Sequence, residues 1–473
     1  MKKILLILLA LYSYIGQAQT VFSGGIYANT TWSVANSPYI INGNVVVFPG
    51  VTLTIEPGVE VRIEESPSAV STYTIETRGT INMVGDPGSL ITFRANTLTQ
   101  TVGTWGGFMV KNSQGGIINY DYVSISNAIN AFNYDGAVPG SIVLNGCEFK
   151  FNGSAINNGI NLVATDCYFY GNYSAVSGWS NFTFERCVFD SNSTALPIYA
   201  SFLSVDSCVF SRNSQAIYFS SSAFTGIEIK NSTFSNNTVA MTNANNGFVS
   251  NCLFENNQSG ISSSIQLNIY DCTFNYNEVA IAAGFGTSVT NCEINFNTKG
   301  VLLGPVSFGQ PVPVVENNRI CGNSLYNIEN STDLNMYLPT NCFCESDSTI
   351  IEDKIYDGYD DITRGLISYA IFDTTCTTIL KIVNKDPSIT GIEETETALL
   401  NVYPNPVSDR VQINCYEAGF IQITDVNGRK VFAQNTLSGN NSVDLSALEK
   451  GLYFIQFTGN GKRMQTIKIV KAE

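Results

Sequence analysis

The chain has 473 residues, only 13% of them charged, and a net charge of −15. That balance excludes a nucleic-acid binder, which needs a basic patch to meet phosphates. The sequence contains no histidine, so His-based acid/base chemistry, His metal ligation and Ser-His or Cys-His triads are all excluded.

The N-terminus reads as a secretory signal peptide over residues 1–18. Lys2 and Lys3 precede the apolar run Ile4 to Leu11, and Gly16-Gln17-Ala18 supplies small residues for cleavage between Ala18 and Gln19. The apolar run is too short to span a bilayer. No later stretch is long and apolar enough to do so, and the mature chain of about 455 residues is sized for two or three domains.

Residues 20 to 119 read as short strands with Gly-rich turns, as in Val45-Val46-Val47 and Leu53 to Val59. A repeat then takes over. Cysteines fall at 147, 167, 187, 208, 252, 272 and 292, and Ser232 fills the same place in the long gap. Two positions after each comes Phe149, Phe169, Phe189, Phe210, Phe234, Phe254, Phe274 or Ile294. Five positions after comes Asn, from Asn152 to Asn297; nine after comes an apolar residue, from Ile156 to Val301; three before comes another, from Leu144 to Val289. A repeat of 20 to 24 residues means a stacked architecture. Cys-x-Phe alternates as one face of a strand does, and the apolar spacings of helical or leucine-rich repeats are absent. The spacing predicts a parallel β-helix over residues 19–340, one coil per repeat, with coils about 4.8 Å apart. Cys, Phe and the aliphatics form inward ladders. Asn forms a ladder at a turn, where it takes left-handed backbone and its amides bond along the stack. Asn318, Ile320 and Asn323 extend the series downstream; Tyr122, Val123, Ile125, Ala128 and Ile129 extend it upstream. The ladder cysteines are expected to be thiols, because stacked side chains run parallel rather than towards each other and free Cys packs as a small apolar residue.

Residues 341–385 are expected to cap the helix. Ser348 to Tyr356 reads as a short helix, followed by Tyr356-Asp357-Gly358-Tyr359-Asp360-Asp361 and a strand at Leu366 to Phe372. An uncapped end would expose strand edges and the apolar lumen. Asp357, Asp360 and Asp361 are expected to end the cap helix and face water. Cys342, Cys344 and Cys376 lie off the ladder; in an oxidising compartment one of the first two is expected to pair with Cys376. Cys-x-Cys plus one distant Cys is poor zinc spacing. The sequence implies no metal site and no cofactor. Residues 386–398 read as a linker, and 399–473 as a small sandwich of about seven alternating strands.

Two resemblances add to this. Thr31-Trp32-Ser33, Asn36 to Ile40, Thr52 to Val61 and Gly103-Thr104-Trp105-Gly106-Gly107 resemble the opening coils of secreted right-handed parallel β-helix proteins of the pectate-lyase-like superfamily, over residues 20 to 385. The superfamily hosts many functions, so the likeness speaks to fold. Tyr403-Pro404-Asn405-Pro406, Asp425 to Arg429, Lys450-Gly451-Leu452-Tyr453 and Ile467 to Lys471 resemble the C-terminal sorting domain of the type IX secretion pathway, a Bacteroidetes export route. This implies recognition by that machinery, surface display and outer-membrane anchoring. The fold class expected is all-β: a right-handed parallel β-helix followed by a small C-terminal β-sandwich.

Function must then be sought on the outside of the coils. Along the Cys-x-Phe strand the outward residues include Glu148, Lys150, Tyr168, Tyr170 and Asp190. Aromatic faces between hydrogen-bonding groups suit a sugar ring. A solvated strand face with an ion pair is the plainer reading. Lyases need clustered acids and an Arg or Lys base; hydrolases need paired acids. Asp166, Asp190, Asp206 and Asp271 meet neither pattern along the repeat, and no catalytic residue is assigned. Three functions remain open: a non-catalytic adhesion or glycan-binding module, a polysaccharide lyase or glycoside hydrolase, and a structural spacer.

Overall fold

The computed structural model describes residues 19–67, 72–97, 101–136, 141–157, 161–178, 180–199, 202–220, 226–304, 306, 309–369, 372, 400–403, 407–415, 418–425, 429–459 and 464–471. The expected signal peptide, its Ala18–Gln19 cleavage site up to Ala18, Cys376 and the linker lie outside them. The chain divides into two compact units, residues 1–389 and 390–473.

The first unit is a parallel β-solenoid of about 12 turns. A middle coil shows the plan: strands Asn161–Thr165, Tyr168–Tyr170 and Ser174–Ser177 pair in parallel with Phe182–Glu185, Val188–Asp190 and Thr194–Ile198 of the next coil. Three ladders run down the molecule: one before the Cys, one at Cys-x-Phe, and one after the Asn.

The repeat offsets become columns. Phe169, Phe189, Phe210 and Phe234 are fully buried, with ring centroids 4.8, 4.6 and 4.7 Å apart and planes within 5° of parallel. That spacing is the coil rise itself. Each ladder Asn is buried and fully used. Asn192 N–H and Nδ2 both donate to Asn213 Oδ1, at 2.9 and 3.0 Å, and its Nδ2 also donates to Phe169 O at 3.0 Å. The ladder Asn residues are not left-handed, contrary to expectation. The residue before each one is: Ser191, Arg212, Asn236 and Asn256 have φ of 55 to 57°. A second left-handed residue precedes the Cys position, as at Asp166, Arg186 and Asn231. The turn thus bends one residue early, which points the Asn amide inward along the stack.

The ladder cysteines are free thiols. Cys187 N–H donates to Cys208 Sγ at 3.3 Å, and Cys208 N–H donates to Ser232 Oγ at 3.1 Å. Asn318 does the same for Cys292 N–H at 2.8 Å. The column therefore needs a small acceptor, and Cys, Ser and Asn all serve. Upstream, Val123, Ile125 and Ala128 are buried as expected, but Ile129 is exposed, because it follows the bend at Asn127 (φ 64°).

The cap closes the far end. Met336, Leu338, Phe343, Ile351, Ile355 and Ile367 join the solenoid core, and Ile355–Tyr356 pairs onto Ile328–Glu329, covering the last edge. The helix is shorter than expected, Ser348–Glu352, with Asp347 capping it through Thr349 N–H at 2.9 Å. Asp357 corrects the expectation most. It is fully buried and accepts from Tyr359 N–H and Ile367 N–H at 2.9 and 2.6 Å; it organises the cap turn instead of facing water. Cys344 pairs with Cys321, not with Cys376. Cys321 occupies the outward place of its strand, so its sulfur faces the cap segment. Cys342 is disulfide-bonded as well; Cys376, the expected partner of one of the Cys-x-Cys pair, lies outside the described residues. With Cys321 and Cys344 bonded, the three close sulfurs of Cys321, Cys342 and Cys344 do not offer three thiolates to a metal.

The second unit holds two antiparallel sheets. One contains Leu400–Tyr403, Arg410–Cys415 and Gly439–Asp444; the other contains Lys430–Thr436, Gly419–Asp425, Gly451–Gly459 and Met464–Lys471. Val411, Ile413, Ile421, Ile423, Ile455 and Phe457 form its core.

Candidate functional site

Period-two alternation buries Cys147 and Phe149 and turns Glu148 and Lys150 outward. The register sets Glu148 beside Tyr168, and Lys150, Tyr170 and Asp190 in one row. Lys150 Nζ lies 2.6 Å from Glu148 and 5.8 Å from the Tyr168 ring centroid. Ser124 Oγ donates to Glu148 at 3.0 Å. The Tyr168 and Tyr170 rings lie within 10° of parallel, centroids 5.8 Å apart, and Phe151 packs edge-on against Tyr170. The five expected residues therefore share one face. Asp190 differs in one respect: it is only 2% exposed, because Arg212 from the next coil lies over it in a two-pronged ion pair. Ser191 Oγ donates to it at 3.0 Å. Such a pair is a rigid, charged edge rather than an open carboxylate.

Next to this face a shallow groove of about 540 Å³ follows the turn, lined by Val102, Tyr173, Ser191, Ser193, Arg212 and Ser214. Tyr173 is 70% exposed.

A second constellation was missed at the sequence level. On the ladder before the Cys, Glu185 stands directly opposite Asp206, and Asp206 opposite Lys230. Arg186 joins Asp166, at 2.8 and 3.0 Å, to Glu185. Lys230, Asn231 and Ser207 converge on Asp206 at 3.3, 2.8 and 3.0 Å. Burial works against the Asp206 charge, yet the hydrogen bonds from Asn231, Ser207 and Lys230 hold its carboxyl below the usual range. The hydrogen bonds that Arg186 donates to Asp166 fix it still more firmly in its charged form. The signal was the column two places before the Cys, where Glu185, Asp206 and Lys230 follow one another.

A cleft of about 530 Å³ opens near the N-terminal end, between Ile117–Asp121 and Ser141–Asn145. It is lined by Ile117, Ile142, Val143, Tyr120 and Tyr134 among others. The two tyrosine hydroxyls meet at 3.0 Å. Burial pushes the Tyr120 phenol well up and the Tyr134 phenol up to about 12, so both stay neutral.

A family profile described as pectate-lyase like beta helix domain matches residues 24–161, and one described as right handed beta helix region matches 176–320. A profile described as secretion system C-terminal sorting domain matches residues 401–472. The chain is a right-handed, pectate-lyase-like β-helix carrying a type IX secretion sorting domain. No curated protein matches it. The sorting domain directs the chain across the outer membrane to the cell surface. Among the described residues no helix is long and apolar enough to cross a membrane.

Within the sorting domain, Asp425 accepts from Arg429 N–H at 2.9 Å and from its guanidinium at 3.0 Å, joining the two ends of that motif. Tyr453 of the Gly451–Gly459 strand donates its hydroxyl to Glu449 O at 2.9 Å. The last strand, Met464–Lys471, runs antiparallel to Gly451–Gly459, and Lys471, almost buried, reaches Asp409 at 3.5 Å.

Proposed function

We propose that the protein is a surface-displayed, non-catalytic glycan-binding β-helix. The observation that carries this reading is the pair of parallel rings, Tyr168 and Tyr170, bounded by Glu148 with Lys150 on one side and Asp190 with Arg212 on the other. A sugar offers flat C–H faces for the rings and hydroxyls for the charged edges. The adjoining groove at Tyr173 continues the same side of the helix.

The state of the charged groups supports the non-catalytic part. A lyase base must give up its proton, whereas Arg186 is held charged between Asp166 and Glu185. A hydrolase needs two free carboxyl groups facing one gap, about 5 to 10 Å apart, whereas Asp190 lies under Arg212 and the facing Glu185 and Asp206 are each ion-paired, to Arg186 and Lys230.

A glycan array with the mature secreted protein, followed by a product-release assay on every hit, tests the reading. Binding that falls on Tyr168→Ala or Tyr170→Ala, with no product released, is expected. An enzyme acting through the Asp166, Glu185 and Asp206 strip is the second reading; product release abolished by Glu185→Gln or Asp206→Asn would establish it. No hit at all would leave the spacer reading.

A further inference from the structure

The turn after each Cys-x-Phe strand holds one left-handed residue per coil. Most coils place Gly, Ser, Asn or Arg there. Left-handed backbone costs a side chain with a Cβ about 1–2 kcal/mol, and bulky residues tolerate it least. Tyr276 and Phe296 nevertheless occupy it, with φ of 57° and 59°. Their rings stack at 5.7 Å, 15° from parallel, and remain 60% and 55% exposed. Strain of this kind is normally offset by burial. Here both residues stay more than half exposed, so burial explains little of it. Phe151, at the same place in an earlier coil, is half-buried against Tyr170. Below Phe296 comes Gly322, where an added Cβ would stand 3.0 Å from the ring; the bare backbone lets the ring lie against the coil.

On the strands beside this turn two buried polar atoms have no hydrogen-bond partner. Asn295, only 3% exposed, has a buried Oδ1 with no partner, and so has the buried Nε of Arg319 in the next coil. Glu293 stands opposite Arg319. A buried polar atom left unpaired costs about 1–3 kcal/mol.

We propose that Tyr276 and Phe296 form a stacking platform for the sugar rings of a neutral polysaccharide. The proposal rests on the glycan-binding reading and extends it to a second subsite. From the Tyr168–Tyr170 strand to the Thr273–Asn275 strand is five ladder steps, or about 24 Å along the axis. Both lie on the same ladder and its following turn, so one extended chain can touch both. The occupant is neutral because the protein carries a net charge of −15 and Glu255 and Glu293 stand on the adjoining strands; a polyanion would be repelled.

Affinity electrophoresis of the mature secreted protein tests this, in gels containing soluble xylan, galactomannan, mixed-linkage β-glucan or starch, with polygalacturonate as the polyanion. At least one neutral polymer should retard the protein. Tyr276→Asn and Phe296→Asn remove the rings but suit left-handed backbone, so melting temperature should hold or rise while affinity falls about tenfold. Unchanged affinity in both Asn variants, with loss on Tyr168→Ala, would overturn the platform and leave the glycan reading standing. Retardation by polygalacturonate alone would overturn the neutral occupant. Absence of retardation by every polymer would overturn both readings.

Discussion

Phe210 stacks on Phe189 at 4.6 Å with the ring planes 5° apart, and Phe234 covers its other side at 4.7 Å. Phe210→Ala therefore opens a void closed above and below by rings that the backbone ladders hold in place. The expected loss is about 3–5 kcal/mol, the usual range for a core aromatic. Phe210→Asp should cost more, since it forces an unpaired charge into the lumen. Because each coil touches its neighbours alone, hydrogen exchange on Phe210→Ala should show protection lost around residues 187 to 237. A neutral Phe210→Ala would mean that the column does not carry the core.

Asn213 is the acceptor for Asn192 N–H and the donor to Phe189 O and Asn237 Oδ1. Asn213→Ala strands these buried groups, at about 1–3 kcal/mol for each one left unpaired. Asn213→Asp keeps the acceptor but turns a carboxylate towards Phe189 O and Asn237 Oδ1, and should destabilise further. Denaturant melts of both variants check the order; an Asp variant as stable as wild type would show that the amide donor is not used.

Much of this was legible because the repeat length is nearly constant, so an offset in the sequence is a column in the structure. Cys, Phe, Asn and aliphatic columns all fall inside. What escaped depends on side-chain reach and on the cap. Nothing in the spacing of Asp190 and Arg212 says that the guanidinium folds back over the carboxylate. The left-handed residue lies one place before Asn because the amide is needed in the stack, a tertiary demand that local turn preference does not contain. No role was legible in the sequence for Cys321; alternation sets it outward, where the cap's path brings Cys344 to it. Glu185 and Asp206 share the column two places before the Cys, but which cations reach them depends on side chains from neighbouring turns.

The thiol ladder makes a chemical prediction. Cys167 Sγ donates to Thr165 O at 3.3 Å and Cys187 Sγ to Ala164 O at 3.4 Å, so the sulfurs are turned to the backbone. Burial also pushes the Cys167, Cys208 and Cys272 thiols up, away from the reactive thiolate. At Cys187 burial acts the same way but hydrogen bonds with Cys167 and Cys208 lower the thiol, and there it is burial that keeps reagent out. Native protein should resist alkylation. After denaturation without reductant the ladder thiols should label fully, and Cys321 and Cys344 should not. Peptide mapping that recovers a Cys167–Cys187 bridge would contradict the ladder geometry.

Acid should loosen the N-terminal coils through Glu60. Arg62 and Arg94 each bond it at 2.7 Å. The hydrogen bond from Arg62, with those of Arg94, outweighs burial and lowers its carboxyl. A carboxyl lowered in the folded state stabilises above its unfolded value of about 4.3, and that contribution is lost as pH falls through the folded value. Glu60→Gln should destabilise the protein at neutral pH and narrow the gap to wild type in acid. The group is partly exposed, so the effect should shrink in high salt. Melting curves from neutral pH down into the acid range below the unfolded value of about 4.3 would show it; a gap that widened in acid would reverse the sign.

The sorting domain has its own core, centred on Ile413, Ile423, Ile455 and Phe457, and forms a compact unit separate from the β-helix. The β-helix is closed by a cap whose Met336, Leu338, Ile351 and Ile355 complete its own core. Among the described residues the two cores share no member. Deleting residues 399–473 should leave the solenoid folded, with an unchanged melting transition and an intact Cys321–Cys344 bridge. Export should fail, because the part read by the type IX machinery is gone, and the truncated chain should collect in the periplasm. Cell fractionation with surface proteolysis separates the two effects. A truncation recovered at the surface would remove the export role from the domain, and a truncation that unfolds would show that the two units depend on each other.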